Sequence, residues 1–229
     1  MQDENFSQPM FNALPPAVVA LALAMFAVEV FFYLAEAGIV GGPEAIGWRA
    51  AAVQELGFFA AVIPWMIETG NWLPEHLLRF VSYPFLNWGF TSAIFSIVLL
   101  LALGKLVGEV FGNLAVLIVF FSCAIFGALI FAGLTGSERP LIGAYPSVYG
   151  LIGAYTFLLW VRFGQMGQNQ YQAFTLIGFL LGIQLIFGML FGSSSDWVAE
   201  VAGFVLGFFI APFLAKGAMR QLFNKLRQR

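Results

Sequence analysis

The sequence predicts an all-α membrane protein: a six-helix transmembrane bundle with an interfacial helical first loop. Three features predict it. Of the 229 residues, 61% are apolar and only 10% charged, with a mean hydropathy of +0.89, well above an ordinary soluble domain. Apolar runs recur at the length a span needs, about 20 residues for a hydrocarbon core of roughly 30 Å. The runs are continuous rather than alternating, and a backbone in lipid must satisfy its own polar groups, so helices rather than a closed barrel are expected.

Residues 1–13 read as a cytoplasmic N-terminal segment. They lack the basic residues and small-residue cleavage site of a signal peptide, so the run Leu14 to Ala35 is a retained first span. Residues 38–79 are too charged to cross. Apolar Ala51, Ala52, Leu56, Phe59, Val62 and Ile63 recur there at helical spacing, which predicts an interfacial helix with Trp48, Trp65 and Trp72 at the headgroups. The further spans are Phe80 to Leu103, Leu114 to Leu134, Tyr145 to Val161, Phe174 to Phe191 and Trp197 to Ala215, the fourth being short. The membrane domain is thus 14–215, and 216–229 is a basic cytoplasmic tail suited to an anionic lipid surface. Gly178 and Gly182, Gly188 and Gly192, and Gly203 and Gly207 are pairs at four-residue spacing that permit close helix approach.

Charge sets an orientation. Lys105, Arg162 and the five basic residues of the tail fall in one set of alternate loops, whereas Arg49, Arg79 and Arg139 fall in the other. The positive-inside tendency puts both termini in the cytoplasm and the long loop outside. The expected location is the cytoplasmic (inner) membrane of a bacterium. A net charge of -2 without a basic stripe gives nucleic acid nothing to bind. One Cys and one His form no metal cluster and no internal disulfide, and no cofactor is expected. Glu29 and Glu200 fall inside spans, where an unpaired charge is costly, so each needs protonation or a polar partner. Pairing within the bundle and a proton or ion path are both open. A transporter would show more polar residues at midplane and a repeat.

The run GAYPSVYGLIGAY, Gly143 to Tyr155, resembles the fourth span of rhomboid intramembrane proteases, whose pattern is Gly-x-Ser-Gly before a helix. The run SDWVAEVAGFVLGF resembles the family's sixth span, Asp-x-x-Ala-His-x-x-Gly-x-x-x-Gly, with Asp196, Ala199, Gly203 and Gly207 all in place. The stretch RFVSYPFLNWGFTSAIFSIVLLLALGKLVGEVFG resembles the second span and its turn, with Arg79 as the Arg of the loop's Trp-Arg pair. The resemblance runs from Arg79 to the last span, in the family's order.

It implies a degenerate rhomboid. The serine position holds Tyr145 and the glycine after it Pro146, while the histidine position holds Glu200. The second-span His and Asn that help bind the oxyanion become Ser92 and Ser96, and an earlier His-Gly becomes Asn87-Trp88. The scaffold residues Gly143, Tyr149, Gly203 and Gly207 are kept. Ser147 is the nearest other hydroxyl, but using it misplaces Gly143, Tyr149 and Gly153, and the one histidine, His76, precedes the second span. Tyr145 with Glu200 as base faces a gap of roughly six pKa units, about 8 kcal/mol, for proton transfer. A hydrogen bond between these two is expected instead. The resemblance therefore implies a pseudoprotease, not an enzyme, that binds a transmembrane client or acts as an assembly factor in the bilayer. An active protease with unrecognised residues and a subunit of a larger membrane complex are the alternatives. Lateral binding near the second and fifth spans would use Phe85, Trp88, Phe90, Phe174, Gly178, Phe179, Gly182, Gln184 and Phe187.

Overall fold

The structure is a computed structural model that describes residues 14–191 and 194–227; side chains are described throughout these except at Gln184, Leu185, 187–191 and 216–227. The described residues are overwhelmingly helical, with a single isolated β-bridge. The bundle is formed by α1 (Pro16–Glu36), α5 (Phe90–Phe111), α6 (Asn113–Thr135), α7 (Tyr145–Gln165), α8 (Thr175–Phe191) and α9 (Trp197–Arg227). Three short helices, α2 (Trp48–Leu56), α3 (Val62–Thr69) and α4 (Pro74–Ser82), lie between α1 and α5. Four helices are long and apolar enough to cross a membrane: α1, α5, α6 and the Trp197–Ala215 part of α9. Helix α7 is 21 residues long, so the expected short fourth span is corrected. Its charge and polarity come in the last turn, with Arg162 and Gln165.

Helix α7 is the centre, packed on α5, α6 and α9. Its fully buried face runs from Pro146 to Ala154. Small residues bring it against α9 backbone to backbone: a Cβ at Gly203 would land on the carbonyl oxygen of Pro146, one at Gly207 on that of Gly150, and one at Gly153 on that of Phe204. Gly127 of α6 is close too, 2.9 Å from the Ala199 carbonyl oxygen for a Cβ placed there. Three helices therefore meet where side chains are absent, and dispersion between backbones replaces the hydrophobic drive that lipid cannot supply.

The second span begins ten residues later than expected. The apolar run from Phe80 hides a break, because Pro84 has no N–H to donate to a continuing α-helix. Helix α4 stops at Ser82, a 3-10 turn spans Tyr83–Phe85, and the chain is extended at Leu86 and Gly89 before α5 starts. The turn that follows α5 is at Gly112, and Lys105 lies within the helix, 3.9 Å from Glu109.

The single interfacial helix expected in 38–79 is three helices. It breaks at Gly57, where the chain is extended, because Phe58 leaves to form the antiparallel bridge with Leu141, with Leu141 N–H to Phe58 O at 2.8 Å. Arg79 secures the break by donating to Gly57 O at 2.8 Å, and Ser82 donates to Leu56 O at 2.8 Å. Burial draws the Arg79 guanidinium down, partly offset by Glu55 and Glu75. Phe58, Phe80, Tyr83, Phe131 and Leu141 form the small core beneath this loop.

Glu29 of α1 is 1% exposed and meets Arg49 of α2 through two bonds, Nη2 to Oε1 at 2.8 Å and Nη1 to Oε2 at 3.1 Å. The same guanidinium donates to Glu36 at 2.6 Å and to Asn87 O at 2.9 Å, and lies over the Phe32 ring. Burial works against the Arg49 charge, but the bonds to Glu29 and Glu36 more than restore it. The intramembrane acid thus has a structural partner supplied by the loop.

Helix α9 runs through Pro212 and on to Arg227, so the segment expected as a separate tail continues the helix. The first turn of α1 and the Ala215 turn of α9 lie at one end of the bundle: Pro15 abuts Gly108 of α5, and Ala215 borders the same end of α5 and α7. Helix α8 follows a 3-10 turn, Gln170–Phe174, and joins the core through Ile177, Leu180 and Leu181. Nothing lies within 4 Å of a Cβ at Gly178 or Gly182, so this pair makes no close approach; Gly192 of another expected pair lies outside the described residues.

Two outcomes follow for stability. Gly203→Ala and Gly207→Ala each cost about 1–3 kcal/mol by overpacking, while Gly178→Ala, on an open helix face, stays within about 0.5 kcal/mol of wild type; denaturation in mild detergent reads the difference. Arg49→Ala strands a buried carboxylate and costs about 3 kcal/mol, whereas Arg49→Met combined with Glu29→Leu recovers most of it, as a double-mutant cycle would register.

Candidate functional site

The chain reaches α7 through Gly143, whose φ of 99° is a conformation that side-chain-bearing residues rarely take. Its N–H donates to Tyr83 O at 3.0 Å, so the 3-10 turn before α5 fixes the loop before α7. Helix α7 then opens with Tyr145 and with Pro146 in its first turn, where a missing N–H costs nothing. Pro146 wedges between α6 and α9, its carbonyl against Gly203.

Two groups of sequence-predicted residues meet here. On the α5 side, the half-buried Tyr145 donates its hydroxyl to Ser92 O at 3.4 Å. Ser96 is fully buried, and its hydroxyl bonds Ala93 O at 2.9 Å with a longer contact of 3.5 Å to Asn87 Oδ1. Asn87 is 2% exposed, its Nδ2 has no partner among the described residues, and its Oδ1 faces Gly143. On the α9 side, Glu200 is 6% exposed and bonded to Tyr149, itself 4% exposed. Glu200 thus interacts with Tyr149, one turn further along α7 than Tyr145, whose hydroxyl reaches Ser92 O of α5.

Asp196 precedes α9 at the same end. Burial pushes its carboxyl up, opposed by a hydrogen bond from Ser194 and by the charge of Arg139. Ser147 points elsewhere: it is fully buried and donates to Phe120 O of α6 at 2.7 Å. His76 sits on α4, edge-on to Trp65 with ring centroids 5.0 Å apart. Among the described residues no cluster of His, Cys, Asp and Glu suits a metal ion.

The residues expected at a lateral surface divide. Phe85 makes tilted ring contacts with Phe120 and Phe121, and Phe174 packs edge-on to Trp160 and tilted on Phe208, so both half-buried rings pack on the bundle rather than stand free at its surface. Trp88 and Phe90 at the start of α5, and Gly178 and Phe179 on α8, are exposed, and Gly182 is half-buried. The side chains of Gln184 and Phe187 lie outside the described ones. Sequence reasoning missed Arg49 as the partner of Glu29; a lone Arg in a loop next to a lone intramembrane acid was the available signal. It also missed Asn87 as a buried amide with an idle donor, visible only as a change from the family's His.

Tyr149→Phe removes one partner of the buried Glu200 carboxyl and lowers stability by about 1–3 kcal/mol, whereas Tyr145→Phe, which gives up a long bond, costs about 0.5 kcal/mol; thermal denaturation of the purified protein distinguishes them.

No curated protein matches the sequence. Comparison with protein families matches residues 74–217 to the Rhomboid domain. The match begins at α4, takes in α5 to α9, covers more than half of the chain and contains the glycine contacts described above, and so this multi-pass integral membrane protein belongs to the rhomboid family.

Proposed function

We propose that this rhomboid-family protein is a pseudoprotease that holds a transmembrane segment of another membrane protein without cutting it, as a chaperone or assembly factor. The observation that carries the reading is the position of Ser147 and His76. The serine nearest the nucleophile position of the family, Ser147, is fully buried against Phe120 O, and the chain's only histidine is on α4 against Trp65. A serine nucleophile needs a base in hydrogen-bond reach and an approach for the scissile carbonyl. Ser147 has neither beside it, and Glu200 at the histidine position is bonded to a phenol.

Support for a retained binding role comes from α8. Its described contacts with the core are confined to its first two turns, and Gly178, Gly182 and Phe179 present an open face toward the membrane. Trp88 and Phe90 stand exposed at the start of α5. A client helix laid there would meet small residues that admit its backbone and aromatic edges that pack its side chains. The charge asymmetry supports a bacterial cytoplasmic membrane with the start of α1 and the basic end of α9 on the cytoplasmic side.

The purified protein is expected to resist labelling by serine-directed phosphonates, and Ser147→Ala is expected to leave its interactions unchanged. Photocrosslinking residues at Trp88, Phe90 and Phe179 capture a membrane partner, while the same probes at the exposed Ile125 and Leu129 of α6 do not. Cleavage of a membrane substrate that Ser147→Ala abolishes establishes the protease alternative; adducts confined to α6 reject the lateral site. A partner recovered at fixed stoichiometry after purification in native lipid identifies a complex subunit instead.

A further inference from the structure

At the end of the bundle opposite the degenerate site, α5, α7 and α9 part to leave a cleft of about 600 Å³. Its walls are Leu106 and Val110 of α5, Leu158 and Leu159 of α7, and Ala215 of α9. Polar groups gather at its rim, where Arg162, Gln165 and Glu109 stand. We propose that this cleft is a binding site for one anionic phospholipid of the membrane, its acyl chain between α5 and α7 and its phosphate on Arg162.

Three observations select this occupant. The first is charge. Glu109 has its cation in Lys105, one turn earlier on the same helix, whereas Arg162 is exposed and has no ion pair or side-chain hydrogen bond among the described residues. An unpaired guanidinium at an apolar slot matches a phosphate bidentately. The second is depth. Arg162 lies 17 residues along α7 from Tyr145, which is about 25 Å of rise, so a helix opening near one headgroup layer delivers this side chain to the other. The third is lining. Leu106, Val110, Leu158 and Leu159 give the slot apolar walls that suit a hydrocarbon chain beneath the polar rim, and basic groups between helices on the cytoplasmic side are suited to anionic headgroups.

The test uses the full chain in mild detergent, titrated with phosphatidylglycerol or phosphatidylcholine and read by native mass spectrometry. Wild type retains one phosphatidylglycerol in preference to phosphatidylcholine. Arg162→Gln weakens phosphatidylglycerol retention about fivefold and removes the preference, and Arg162→Lys restores part of it. Leu159→Trp, which fills the slot, weakens retention of both lipids with Arg162 intact. Glu109→Gln, a charge change at the same rim, leaves the preference in place or strengthens it. Equal retention of the two lipids by wild type, or retention unchanged in Arg162→Gln or in Leu159→Trp, overturns the site. Thermal denaturation without added lipid establishes that each variant is folded, and a variant that is not is replaced by Arg162→Ala or Leu106→Trp with the same expected outcomes.

Discussion

The rest of this structure depends on the contact between the backbones of α7 and α9. A bilayer offers almost no hydrophobic reward for bringing two apolar helices together, so their association rests on how closely they can approach. Glycine at 150, 153, 203 and 207 removes the side chains from the seam, and carbonyl groups of one helix lie where a Cβ of the other would stand. Pro146 extends the seam to α6 through Gly127. With α7 fixed in this way, α5 is placed by Tyr145, Gly143 and Tyr83, and the outer loop is placed by the Phe58 to Leu141 bridge.

Polar groups in the membrane domain answer to this frame. Glu29 is stabilised by an arginine from outside its own span, which also ties α1 to the loop that precedes α5 through Asn87 O. Glu200 interacts with Tyr149 across the glycine seam and braces α9 on α7. In a low-dielectric interior such bonds are strong when complete and costly when broken. Buried hydroxyls are engaged here: Ser147 and Ser96 donate to carbonyls of α6 and α5. The Nδ2 of Asn87, like Nε of Arg79 and Nδ1 of His76, has no partner among the described residues.

Much of this was legible beforehand. Span-length runs located α1, α6, α8 and the membrane part of α9 nearly to the residue, and the start of α7, because length and hydropathy are what lipid selects. The scaffold glycines were legible as a pattern, and their Cβ positions show why that pattern tolerates no side chain. The start of α5 was not legible, since Phe80, Tyr83 and Phe85 are apolar whether they sit in lipid or under a loop, and only Pro84 hinted at the break. Phe85 and Phe174 were misplaced for the same reason: an aromatic side chain on a membrane helix packs as readily on protein as on lipid, and periodicity does not tell the two apart.

The sequence by itself determined that the chain is an all-helical membrane bundle and that Glu29 and Glu200 need partners. Composition and order along the chain are enough for those conclusions, because each is a constraint that solvent or covalent chemistry places on single segments. Tertiary structure decided the partners themselves. Whether Glu200 meets Tyr145 or Tyr149 depends on the rotation of α7 against α9, and whether Glu29 meets Arg49 depends on where a loop twenty residues away folds back. These are contacts between segments distant in the chain, set by packing geometry, and no local spacing encodes them.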